Sequence, residues 1–118
     1  MKKLRVPIFT EEYAIVVYIG KRDEIRKAAE KYLGRPIKEF EEKHRGMAFN
    51  ALPDNHPLIV LDGLLPAHIA LATLAHEASH SMDDISDFIN LHHTEFHAHG
   101  IGAVMRVVGK CLNLDKKK

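Results

Sequence analysis

The chain has 118 residues, with 17 Lys and Arg against 16 Asp and Glu, 46% apolar and 28% charged. That length suits one domain able to bury a core without staples, and the composition excludes a disordered chain. The balanced charge argues against a nucleic-acid binder, the lone Cys111 excludes an internal disulfide and fits a reducing, cytoplasmic setting, and no apolar run approaches the roughly 20 residues of a membrane span. Met1 to Arg5 carry the charges of a secretory leader, but Pro7 and the pair Glu11 and Glu12 interrupt the next stretch of chain, so no signal-peptide core is expected.

In chain order, residues 1–12 are expected at the periphery. Tyr13 to Ile19 (YAIVVYI) form a short, β-branched and aromatic run that reads as a buried strand ending at Gly20. A helix comes next: Asp23 is a good N-cap, Ile25, Ala28, Ala29, Tyr32 and Leu33 make one stripe, and Gly34 with Pro36 ends it. Met47 to Leu52 and Leu58 to Leu61 read as two strands joined through Pro53-Asp54-Asn55-His56-Pro57, a hairpin. Pro66 sits well at a helix start, and the Ala- and Leu-rich stretch after it is apolar round most of its circumference, so this helix is expected to be central. A last helix is expected from Thr94 to about Leu112, with apolar stripe Ile101, Val104, Met105, Val108 and Leu112. A line of small residues, Ala98, Gly102 and Gly109, would allow close approach. The expected class is α+β: a small mixed or antiparallel sheet of about three strands packed by helices, in one domain, with residues 114–118 peripheral.

Of nine histidines, seven lie between His68 and His99. Among them His76-Glu77-Ala78-Ser79-His80 is an H-E-x-x-H pattern inside the central helix. Residues four apart on a helix lie one above the other, with Cβ atoms about 5–6 Å apart. Two imidazoles so placed can direct their nitrogens at one ion, at the roughly 2.0–2.1 Å that zinc requires. Glu77 lies about 100° round the helix: too far to join the pair as an equal ligand, but placed to take a proton from a water in the ion's open position.

A catalytic zinc site usually has a third protein ligand. Glu95, opening the last helix, is the first candidate, with Ala98 keeping that face low; His99, four residues on, is the alternative third or fourth ligand. If the central helix ran unbroken to Asn90, its end would lie about 15 Å beyond His80. Glu95 therefore serves only if that helix ends near Asp83 and Asp84 or if the connection from Ile85 to His93 folds back. Asp83 or Asp84 is a candidate to orient a ligand imidazole. His92 and His93 read mainly as loop residues, with oxyanion stabilisation as the alternative. His97 should face away from Glu95, His68 reads as capping or surface, and Cys111 as a small core residue.

His76-Glu77-x-x-His80 followed by Glu95-x-x-Ala98 resembles the glutamate zincins in their smallest form. The layout is similar to small HExxH proteins encoded by bacteriophages and mobile elements, with Gly46-Met47-Ala48-Phe49 as a strand, Leu58 to Leu61 as the next, and Leu74-Ala75-His76-Glu77 in the helix. That resemblance implies zinc bound by His76, His80 and Glu95, Glu77 as catalytic base, hydrolysis of peptide bonds, and a peptide held in extended form along a sheet edge. Two other classes fit the same residues: a catalytically inactive zinc-binding structural or interaction protein, and a small regulatory domain with no metal.

Overall fold

A computed structural model describes residues 1–112; the C-terminal lysines and the rest of 114–118 lie outside the described residues. The elements in order are β1 (Lys2–Ile8), β2 (Thr10–Gly20), α1 (Arg22–Leu33), β3 (Gly46–Phe49), β4 (Leu58–Asp62), α2 (Ala67–Ile89) and α3 (Thr94–Cys111). They build an α+β fold around one mixed sheet with strand order β1-β2-β4-β3. β1 and β2 form an antiparallel hairpin, β2 and β4 run parallel, and β3 closes the far edge antiparallel to β4.

Helices cover both faces of this sheet, and β4 shows why. Leu58, Ile59, Val60 and Leu61 are all fully buried, a continuous apolar run rather than an alternation. Leu58 and Val60 join Tyr18, Phe49 and Phe40 against Ile25 and Ala29 of α1. Ile59 and Leu61 face the other way, onto Leu74 and Ala78 of α2 and the core shared with Val104 and Val108 of α3. α2 is thus the central helix that its composition predicts, lying along the sheet with α3 beside it.

Four expectations change. First, α1 starts earlier than its capping signal suggests: Lys21 is the N-cap, without a side-chain bond, and Asp23 lies in the first turn, where its charge suits the helix N-terminus. Second, the sheet has four strands, because residues 2–8, expected at the periphery, form β1. Only Val6 and Ile8 of that strand are fully buried. Its lysines and Pro7 suit an edge strand, where a missing N–H and exposed charge are tolerated, and they mask the strand pattern. Third, α2 does not end near Asp84 but continues to Ile89, where Asn90 turns the chain at φ 56°. Fourth, the close approach of α2 and α3 uses Gly100 rather than the line Ala98, Gly102 and Gly109: Met82 fills the notch at Gly100.

Candidate metal centre

The helix brings His76 and His80 together as their spacing requires. Their Nε2 atoms are 3.1 Å apart, with ring centroids 4.7 Å apart and planes at 87°. The contact is a hydrogen bond between the two rings; two nitrogens on one tetrahedral zinc would be separated by about 3.3–3.4 Å, so the spacing of the pair, though not yet the direction of its lone pairs, is close to that of two ligands. Both rings are exposed on the outer side of α2, between its buried stripe and the neighbouring β3 edge.

Glu77 is turned from the pair toward β3 and is half-buried. Burial raises its carboxyl above the ordinary range; His76, His80, the Ala48 backbone N–H and His44 pull the other way. The involvement of Ala48 follows from strand register. Asp62 N–H donates to Arg45 O, 3.0 Å, and Arg45 lies opposite Asp62 by extension of the Gly46–Leu61 pairing. Ladder bonds then fall at residues 45, 47 and 49, because paired and unpaired positions alternate. Gly46 and Ala48 therefore turn their N–H and C=O groups outward, to the free edge. Gly46 also lets the strand pass close to α2: a Cβ there would stand 2.9 Å from Thr73 Cγ2 and 2.8 Å from Val60 O.

Between that edge and α2 runs a cleft. One end is lined by Lys43, His44, Arg45, Thr73 and His76, the other by Asn50, His80 and Asp84, and Glu77 and His44 border both. His44 has no signal in the sequence. It sits in a charged stretch without periodicity, and only the pairing of β3 onto β4 carries it across from Glu77. Burial also raises the Asp84 carboxyl, as do the charges of Asp83 and Asp87, against the opposite effect of His80.

The other candidates lie apart. α3 packs antiparallel to α2, with Asp83 opposite His97 and Met82 opposite Gly100. Glu95, exposed at the start of α3, is then level with about residue 86, roughly 9 Å along the axis from His80. Its backbone N–H caps onto His93 Nδ1, 3.1 Å. His99 stacks on Phe9 with centroids 4.0 Å apart, on the side of α3 toward the β1–β2 hairpin. Asp83 does not orient a ligand imidazole but pairs with His97 Nε2 at 2.9 Å, and His92 pairs with Asp87 at 2.8 Å. His93 is the N-cap of α3, which starts at Thr94 as expected. His68 is exposed and Cys111 only half-buried.

Among the described residues, no group of three or more His, Cys, Asp or Glu side chains is placed to hold a metal ion together. The donors present fit a two-histidine hold on zinc, with the remaining positions open to solvent or ligand. No protein-family model, curated protein or solved structure matches this chain, so the functional reading rests on these residues.

Proposed function

We propose that this chain is a zinc-dependent metallopeptidase that hydrolyses peptide bonds, with His76 and His80 as metal ligands and Glu77 as general base. The observation that supports it is the pair of Nε2 atoms 3.1 Å apart beside a carboxyl raised by burial. Zinc, when bound, supplies Lewis acidity that acidifies a water and polarises a carbonyl. Glu77 takes the water's proton and passes it to the departing amine nitrogen; a carboxyl raised above the ordinary carboxylate range is better suited to do both. The outward carbonyl of Ala48, whose N–H is engaged by the Glu77 carboxyl, aligns an extended peptide beside Glu77 on the β3 edge.

Elemental analysis and cleavage of an unstructured polypeptide test this. Glu77→Gln should retain zinc and abolish turnover. His76→Ala and His80→Ala should lose both. Cleavage surviving Glu77→Gln removes that residue from the mechanism, and unchanged zinc in either histidine variant rejects the ligands. One observation favours a second reading: with no third protein ligand in place, zinc would be held without catalysis, in a structural or interaction protein. Such a protein would bind zinc and cleave nothing.

A further inference from the structure

The side chain facing Glu77 across the cleft is His44, and its ring has one nitrogen already committed. Glu41 N–H donates to His44 Nδ1 at 3.0 Å, sharing its proton with Glu39 O at 3.1 Å. A neutral imidazole that accepts at Nδ1 carries its proton on Nε2. The loop that sets this geometry is held firmly. Arg22 donates to the carbonyls of His44, 2.7 Å, and Glu41, 2.5 Å, and lies 3.5 Å from the Asp62 carboxylate. The Arg22 guanidinium also covers the Phe40 ring, against which His44 stacks.

We infer that His44 is a ligand-binding residue, its Nε2–H donating to a carbonyl or carboxylate oxygen of the bound molecule, and that it is not the missing third metal ligand. A ligating Nε2 must offer a lone pair, which would move the ring proton to Nδ1, donor against donor with the Glu41 N–H. A donor at Nε2 meets no such conflict, and it stands in a cleft whose opposite wall is the acceptor Glu77. The oxygen-binding role rests on the zinc reading above; the tautomer does not.

Nitrogen-15 NMR of the imidazoles in the full chain, with His44 assigned through His44→Gln, reads the tautomer directly. The expected result is Nε2–H at His44 before and after zinc addition, with the coordination shift confined to His76 and His80. A proton on Nδ1 in the metal-free protein, or a coordination shift at His44, overturns the inference. Calorimetry of acetohydroxamate, a small oxygen ligand, against zinc-loaded protein tests the donor. His44→Leu should weaken it about tenfold, the loss of one charge-assisted bond, His44→Gln should restore most of that, and zinc affinity should stay constant across the three proteins. Equal hydroxamate affinity in His44→Leu overturns the role. Failure of the wild-type chain to bind zinc overturns the metallopeptidase reading and the oxygen-binding role with it, while the metal-free tautomer still decides whether His44 is built as a donor.

Discussion

Met82 of α2 occupies the space that a side chain on Gly100 of α3 would need: a Cβ there would overlap the Met82 thioether. This lock sets how closely the two helices pack and fixes their register. Gly100→Ala gains some helix propensity, but it forces Met82 off its place in a fully buried core. Overpacking of that kind costs about 1–3 kcal/mol, so the urea midpoint should fall with an unchanged slope. Pairing it with Met82→Ala should cost less than the sum of the two single changes, because the residues share one space. Additive costs would place the strain elsewhere.

The same register keeps Glu95 from the histidine pair. Glu95→Gln should therefore leave zinc affinity within about twofold of wild type, whereas His80→Ala lowers it at least tenfold, about 1.4 kcal/mol. Zinc titrations of the three proteins decide the point. A large loss in Glu95→Gln would mean that the end of α2 unwinds when metal binds, bringing the α3 start to His80. That loss would restore the ligand set implied by the likeness to glutamate zincins.

Much of this arrangement is legible in the residues. The buried run of β4, the stripe of α1, the hairpin through Pro53 to Pro57 and the His76–His80 pair all arise from local periodicity and spacing. The misses are features that local pattern does not encode. β1 mixes lysines and Pro7 with two core side chains, so its strand character appears only when β2 pairs with it. Gly100 is one of several small residues on α3, and nothing in its neighbours says that Met82 will select it. Glu95 lies shortly beyond the end of α2, and whether it reaches the metal depends on that end, which Asn90 sets by adopting a left-handed turn. His44 joins the cleft only through tertiary pairing.

Tyr32 ties α1 to the connection before β4. Its hydroxyl lies 2.9 Å from Asn55 Oδ1 and 2.8 Å from His56 O. Burial, with a further contribution from Tyr18, raises its pKa to about 12 from 10.0, against a lowering by the backbone N–H of His56. A folded value above the unfolded one gives stability that is fully present below pH 10 and lost as pH rises through about 12. Tyr32→Phe should lower thermal stability at neutral pH by the loss of its hydroxyl bonds, about 1 kcal/mol for one such bond. The gap between wild type and variant should then close between pH 10 and 12. A gap that persists undiminished at the alkaline end would show that the hydroxyl does not titrate with folding.

Adjacent residues of β3 should respond oppositely to proline. Met47 lies opposite Val60 at a ladder position, so its N–H is bonded to β4 and Met47→Pro should remove that bond and disrupt the strand, lowering the denaturation midpoint well below that of wild type. Ala48 is opposite Ile59 at the alternate position, with its N–H on the free edge, where proline is tolerated. Ala48→Pro should therefore fold, with a denaturation midpoint close to wild type, and should keep its zinc because His76 and His80 are untouched. It should nonetheless lose hydrolysis of an unstructured polypeptide, since the outward N–H that engages the Glu77 carboxyl is gone. Equal destabilisation by the two prolines would refute the register. A folded Ala48→Pro protein that cleaves normally would show that Glu77 works without the Ala48 N–H and leave the other cleft side chains, His44 foremost, to hold it in place.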